Sequence, residues 1–497
     1  MEFVSTRGEE RVTGARAIVQ GIAKDGGLFV PERFPEVSEA EITQMLEMDY
    51  PERAALVIGK YFDEYDGEKL LSALQAAYAR FEENDAAPLV RIEDGTYILE
   101  LFHGPTCAFK DMALTVLPYL LAEGCRLTGV KEKILVLAAT SGDTGKAALE
   151  GFKDADGVKV MTFYPDEGVS KMQKLQMCTT EGDNVNVVSV KGNFDDCQTG
   201  VKRIFASEEC KKKLADKGYV LSSANSINIG RLIPQIAYYF SAYCDLLSSG
   251  QIEYGDKVDF AVPTGNFGNI LAAYYAGKMG LPVGKLICAS NRNNVLTDFF
   301  KCGTYDSKRP FYKTMSPSMD ILVSSNLERL IFELSGRNAK VTAERMQALS
   351  ERGKYSVTRE ETKLLQETFF AGCANEDETV ESIYEFFIEY GYPMDTHTGV
   401  AMSVVGAYKK SLEEDKAAEE RPVVVVSTAS PYKFPQDVLY ALTGNDVKDS
   451  FKGVKRINLL TAMKVPESLK AIRYKPIRFK QIVSPQKMFD EVLAFTD

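Results

Sequence analysis

FHGPTCAFKDMALTVLPYLLAEG, running from Phe102 to Gly124, puts a lysine where an apolar helix face is expected. On a 3.6-residue period the segment after Pro105 reads as a helix, and Lys110 shares a face with Leu114, Leu117 and Leu121. Two readings of that position stand side by side. In one, Lys110 sits at the edge of a core helix, its stem buried and its ammonium reaching water, and periodicity alone favours this. In the other, the amine is desolvated, its pKa falls, and the neutral form can make a Schiff base with a carbonyl compound. The choice rests on the rest of the chain.

Outward from that stretch the pattern is strand, loop, helix. KILVLAAT is a buried-type strand, SGDTG a Gly-rich turn, KAALEGFKD a helix and VKVMTFYP a second strand, which together make a β-α-β unit. The design recurs in KVDFAVP–TGNFGN–ILAAYYAGKMG and in RPVVVVS–TASPYKFP with a helix from about Gln436. A helix-covered, mostly parallel sheet and the α/β class follow. The first hundred residues mix short strands and turns with a helical stretch. The segment over 335–390 turns charged and helical without strands, as an insertion would.

Composition narrows the function. At 497 residues, 45% hydrophobic and 26% charged, the chain can bury a large core. A net charge of −11 speaks against a nucleic-acid surface or a polybasic membrane patch. Nine scattered cysteines, odd in number and without a C-x-x-C pair, suit a reducing cytoplasm better than a disulfide framework or a zinc site. The start lacks an apolar signal-like core, and no apolar run is long enough to span a membrane, so neither targeting nor anchoring is expected. With only His103 and His397 and no G-x-S-x-G elbow, an enzyme here is expected to use a base other than histidine.

Three loops offer anion sites. A Gly-rich turn between a buried strand and a helix aims N–H groups and the positive helix end at one point. In ATSGDTGKAA, Thr140, Ser141 and Thr144 add hydroxyls. Ala147 stands where a nucleotide P-loop needs Ser or Thr, and Asp143 would repel a polyphosphate, so one small anion fits better. PTGNFGNI lacks G-x-G-x-x-G but carries Asn266 and Asn269 beside Gly265 and Gly268. Each such turn, taken singly, is as easily a plain strand-to-helix connection. In SSANSINIGRLIPQIAYYF, Pro234 suits the first turn of a helix, with Asn225, Asn228 and Arg231 just ahead of it. Arg231 is then either one half of a surface ion pair or, beside two Asn and a Ser, an anion clamp.

In this order FHGPTCAFKD, ATSGDTGKAA, SANSINIGR, PTGNFGN and STASPYKF resemble the motifs of threonine synthase, a pyridoxal-phosphate (PLP) enzyme of the tryptophan-synthase-β fold type (fold type II). STRG with GIAKDGGLFVPE, and SPSMDILVSSNLERL, are similar to the longer form of that family. The likeness runs from about residue 4 to at least 440. It implies a lyase of two α/β domains with twisted, mostly parallel sheets and the cofactor between them. The expected division is an N-terminal extension over 1–95, a smaller domain over 96–220 and a larger one over 221–497 that contains the helical insertion.

The resemblance also implies roles. Lys110 matches the Schiff-base lysine, and Thr264, Gly265, Asn266, Phe267, Gly268 and Asn269 would hold the cofactor phosphate. Thr428 would face the pyridine nitrogen. Thr140, Ser141, Asp143 and Thr144 would meet the substrate or the cofactor hydroxyl, and Asn225 with Arg231 would take the substrate's phosphate. The implied reaction is O-phospho-L-homoserine plus water giving L-threonine plus phosphate, by a monomer or homodimer in the cytoplasm. Many members read STAHPAKF where this chain has Ser430 and Tyr432, and DPHTG-like where it has Thr396, which touches details of the pocket. The competing expectations are a fold-type-II relative such as a serine or threonine dehydratase, with no need of Arg231 as a phosphate clamp, and a PLP-binding sensor without turnover.

Overall fold

A computed structural model describes residues 1–93, 95–166, 169–414 and 419–497, Asp195 by its main chain only. Two α/β sheets organise it. The larger runs, in spatial order, through Phe369–Cys373, Val283–Ser290, Val258–Pro263, Val423–Ser427, Thr96–Glu100 and Leu89–Glu93. All its neighbours are parallel except the last pair. The smaller is wholly parallel, in the order Ile482–Val483, Val185–Val190, Val158–Pro165, Lys133–Ala139 and Tyr219–Ser223. An antiparallel trio near the N-terminus, Arg11–Thr13, Glu2–Ser5 and Phe29–Pro31, completes the main sheets.

The β-branched runs become central strands because both faces are covered. Val423 to Val426 are all buried, each worth roughly 1.5 kcal/mol or more of apolar transfer. Parallel strands share a direction, so the chain leaves them at one end, where backbone N–H groups and helix starts are unpaired. The loops after Thr96–Glu100, Lys133–Ala139, Tyr219–Ser223, Val258–Pro263 and Val423–Ser427 are the ones that carry the motifs.

Strand membership departs from the expected boundaries at several points. Thr96–Glu100 belongs to the larger sheet, where it pairs with Val423–Ser427, and Leu89–Glu93 joins the same sheet rather than a separate extension. The stretch over 335–390 is not free of strands. Lys354–Ser356 pairs with Thr304–Asp306, and Phe369–Cys373 is the edge strand beside Val283–Ser290. That strand is five residues long and follows directly on the amphipathic helix Arg359–Thr368, so the helical period masks it. Ile482–Val483 adds to the smaller sheet from far along the chain.

The helix expected after Pro105 begins only at Asp111 and comes in two pieces, Asp111–Leu114 and Leu117–Thr128, with Pro118 in the first turn of the second. Residues ahead of it are folded back by the Asp111 carboxylate, which accepts from Thr106 N at 2.8 Å and Thr106 Oγ1 at 2.6 Å. Lys110 therefore caps the helix start rather than riding on its face. Leu114, Leu117 and Leu121 are buried beyond it.

The helix Asp143–Phe152 crosses this segment so closely that a Cβ on Gly151 would lie 2.0 Å from the Leu114 carbonyl oxygen. Gly151 thus sets the approach of Asp143's helix to Lys110's. Replacing Gly by Ala in a helix ordinarily gains about 1 kcal/mol. Here Gly151→Ala should instead lose roughly 1–3 kcal/mol by forcing the helices apart. A thermal midpoint that stays level or rises in the Ala variant contradicts this packing.

Candidate active site

The carboxyl ends of the strands open onto a cleft of about 1400 Å³, and every site residue expected from sequence lies on its wall. Lys110 is 9% exposed, with Nζ 3.4 Å from Asp143 Oδ2 and 4.7 Å from the centre of the Phe109 ring. Burial pushes its pKa down, the Asp143 carboxylate opposes this, and the positive Arg231 and Lys433 add to it, leaving the amine at about 8. The snorkelling alternative fails on that geometry.

Asp143 is the centre of the site. As first residue of its helix it lies at the positive end of the dipole. Its carboxylate receives Lys433 Nζ at 2.7 Å, Gln173 Nε2 at 3.0 Å, Ser318 Oγ at 3.0 Å and Lys110. Burial by itself would raise its pKa, but Lys433 and Lys110 override that and hold it well below the usual carboxylate range. Four donors engage about all the lone-pair directions a carboxylate has. Behind it, Thr140 Oγ1 accepts from Gly142 N at 2.9 Å and Gly145 N at 2.8 Å, tying the turn shut, while Ser141 and Thr144 face the cleft.

The loop after Val258–Pro263 forms a concave donor surface. Thr264 Oγ1 donates to Val262 O, Phe267 takes a left-handed conformation with φ 64°, and the helix Gly268–Lys278 begins at once. Asn269 Oδ1 accepts from Tyr239 at 2.7 Å and from Tyr238, which leaves Nδ2 a buried donor without a partner. Gly265 is required because a Cβ there would come 2.7 Å from Ser318 O. An unpaired amide beside helix-start N–H groups is a donor set of the kind that suits a small anion.

Arg231 differs from expectation in its setting. It lies inside the short helix Ile229–Leu232, and Pro234 sits in the 3₁₀ turn Ile233–Ile236 that continues it, rather than opening a new helix. Asn228 is the cap, accepting from Gly230 N at 2.9 Å, with its amide spent on Ile18 O and Ser223 O. The surface ion-pair reading of Arg231 fails. It is 4% exposed, donates only from Nη1 to Ala224 O at 3.1 Å, leaves Nε unused, and has no carboxylate within ion-pair distance among the described residues. Burial lowers it to about 10. Asn225 Oδ1 is likewise unpartnered.

Thr428, 6% exposed, accepts Phe109 N on its carbonyl at 2.9 Å, and an Ala108–Ala429 bridge stitches its loop to that of Lys110. Three groups escaped sequence reasoning. Lys433 is fully buried, bonded to Asp143 and to Thr106 O at 2.9 Å. Ser318 arrives from a long loop. His397 sets Nδ1 2.6 Å from an Asp395 carboxylate oxygen and accepts Ser318 N on Nε2 at 3.2 Å, so its ring ties the Ser318 turn to the Asp395 loop. All three stand in or beside stretches that the sequence already marks, Lys433 in STASPYKF, Ser318 in SPSMDILVSSNLERL and His397 next to Thr396, but none is given a role there. The departures are absorbed locally: Ser430 caps the turn Pro431–Lys433, Tyr432 reaches Met463 O, and Thr396 Oγ1 donates to Met315 O at 2.7 Å.

Comparison with known proteins bears on this geometry. The family described as "Threonine synthase N terminus" matches residues 2–78, and that described as "Pyridoxal-phosphate dependent enzyme" matches 86–429. A Homo sapiens protein named "Threonine synthase-like 1" is 39% identical over 468 residues, covering 90% of this chain and 62% of that protein. The chain thus spans under two thirds of the length of such relatives. The threonine synthase of Pseudomonas aeruginosa is 39% identical over 443 residues, covering 88% of this chain and 90% of its own. The crystal structure of PLP-bound threonine synthase from Brucella melitensis superposes with a TM-score of 0.87 at 34% identity, covering 100% of this chain and 99% of that one.

The charge balance around Lys110 makes a prediction. Reductive trapping of a small aldehyde at Lys110 in the ligand-free protein should rise with pH about a midpoint near 8. In Lys433→Met, loss of a neighbouring positive charge should move that midpoint upward. Peptide mapping that finds the label elsewhere, or a midpoint that falls in the variant, contradicts the arrangement.

Proposed function

Because the chain belongs to the threonine synthase family of pyridoxal-phosphate-dependent enzymes, we propose that it converts O-phospho-L-homoserine and water into L-threonine and phosphate. In the balance of that reaction the Cγ–O bond breaks with its electrons leaving on phosphate. One proton leaves Cβ and one is delivered to Cγ, which becomes the methyl group; hydroxide from water adds at Cβ, and the remaining proton of that water goes to the released phosphate or to solvent. The observation that carries the reading is Arg231, a buried guanidinium with an unused Nε and no carboxylate within ion-pair distance among the described residues, on an element distinct from the 264–269 loop. A substrate without a phosphate gives the site no use for a second clamp of that kind.

The residues fit the cofactor. The free Asn269 amide and the start of Gly268–Lys278 suit its phosphate, and the desolvated Lys110 amine suits its aldehyde. Thr428 is assigned to the pyridine nitrogen, as a neutral hydroxyl partner. Bound there, the cofactor supplies an electron sink for charge developing on the substrate's carbon skeleton.

The chain's own groups do the rest. Lys110, partly neutral near pH 8, takes the proton from Cα and returns one to carbon. Asp143 orients that amine, and its single charge keeps Lys433 and Lys110 together in a buried site. Ser141 and Thr144, on the same wall, hydrogen-bond to the substrate. Arg231 and Asn225 grip the phosphate and stabilise the negative charge that gathers on it as the bond breaks. The nine cysteines are all free, and no helix among the described residues is long and apolar enough to cross a membrane. We place the enzyme in the cytoplasm, as a monomer or homodimer.

The test is phosphate and L-threonine formation from O-phospho-L-homoserine by the PLP-loaded protein, set against ammonia release from L-serine or L-threonine. Ammonia release without phosphate release would make it a dehydratase instead. Arg231→Ala should cost roughly 2–5 kcal/mol in kcat/KM for the phosphoester while leaving cofactor loading unchanged. Loss of cofactor with turnover spared would reverse the assignment of the two anion sites.

A further inference from the structure

Arg329 is fully buried, lies behind the cleft wall, and has no carboxylate within ion-pair distance among the described residues. Its donors go instead to three separate segments. Nε reaches Phe29 O at 2.9 Å, in the N-terminal strand Phe29–Pro31. Nη2 reaches Ile227 O at 2.6 Å, and Nη1 reaches Ser226 O at 3.4 Å, in the turn that leads into Arg231's helix. Nη1 also donates to Asn326 Oδ1. Asn326 in turn gives its amide Nδ2 to Asn266 O at 3.0 Å and its backbone N to the same oxygen at 3.1 Å, within the 264–269 loop.

A buried guanidinium is costly without a counter-ion, and an apolar side chain of similar volume would fill the space at less cost. What an apolar side chain cannot do is span three segments with a planar fork of donors. The two loops it joins are themselves adjacent, since a Cβ on Gly268 would come 3.4 Å from Asn326 Nδ2 and 3.7 Å from Ser226 Cβ.

From this geometry we infer that Arg329 is a positioning residue that fixes the spacing between the cofactor-phosphate loop and the Arg231 clamp. It thereby matches the cleft to a phosphoester in which the second anion sits at one set distance from the amino group. This rests on the assignment of two anion sites made above. Arg329 touches neither anion. It acts through Asn326 on one loop and through the Ser226 and Ile227 carbonyls on the other.

Two binding constants test it on the full chain: pyridoxal phosphate to the cofactor-free protein, and inorganic phosphate to the loaded protein, both by calorimetry. Arg329→Lys keeps the charge but loses the fork. It should weaken both by about tenfold, with KM for the phosphoester rising by a similar factor and kcat falling much less. A folded Lys variant in which neither constant moves, or only one does, overturns the inference. Should that variant fail to fold, Asn326→Ala cuts only the arm to the cofactor loop. It should weaken pyridoxal phosphate by about fivefold or more and leave inorganic phosphate within about twofold. Unchanged cofactor binding there overturns the inference equally. Neither constant requires turnover, so absence of phosphate release from the unmodified protein would count against the proposed reaction and not against the spacing role.

Discussion

One carboxylate holds the cleft together. Asp143 is the negative charge at the meeting point of Lys110 and Lys433, with Arg231 acting on the same amine. A buried cation left alone costs several kcal/mol, and removal of one partner from such a pair typically costs about 3–5 kcal/mol. The donors come from both sheets: Lys110 and Lys433 follow strands of the larger one, Gln173 lies between strands of the smaller, and Ser318 comes from the 3₁₀ turn Pro317–Met319 beyond the short strand Thr304–Asp306. Folding the two units against each other is therefore coupled to ionising Asp143. The charge it leaves uncompensated, on Arg231 and in part on Lys110, is the attraction that an anionic ligand meets.

The parallel topology explains why that attraction has two foci. Strands of one direction deliver their loops to one side, and a helix start follows closely on each turn. The 264–269 loop and the turn before Ile229–Leu232 are successive versions of one device, separated by the buried helix Ala237–Ser248. The first leaves an Asn amide unpaired and the second leaves a guanidinium nitrogen unpaired. Two foci held at a fixed distance suit a cofactor and a substrate that each bring an anion.

Much of this was legible in the residues. The valine run at 423–426 and the alternation of strand, Gly-rich turn and helix announce an α/β fold, because a fully covered strand tolerates no polar face. Lys110 and the three loops stand out because desolvated amines and open helix starts are chemically distinctive. The rest depended on long-range packing that local pattern does not encode. Phe369–Cys373 is a strand because Val283–Ser290 lies beside it, and nothing within five residues says so. Lys433 reads as an ordinary loop lysine until Asp143 is folded against it. Ser318 and His397 matter through a backbone N–H and a carboxylate 79 and 175 residues away. The sequence offers Arg231 as a candidate anion clamp, but its place inside a capped helical turn comes from Asn228, whose side chain binds Gly230 rather than a ligand.

The smaller sheet is assembled from distant parts of the chain, and this has a consequence for how the protein is made. Val185–Val190 is bordered on its outer side by Ile482–Val483, which leave the ribosome nearly 300 residues later. At about 5–20 residues per second, that is some 15–60 s during which a row of strand N–H and C=O groups lacks its neighbour. An uncovered parallel edge is a template for pairing with another chain. From residue 191 until the closing strand emerges the nascent chain carries this edge open to mispairing, so the pace of synthesis over that interval bears on the yield of folded protein.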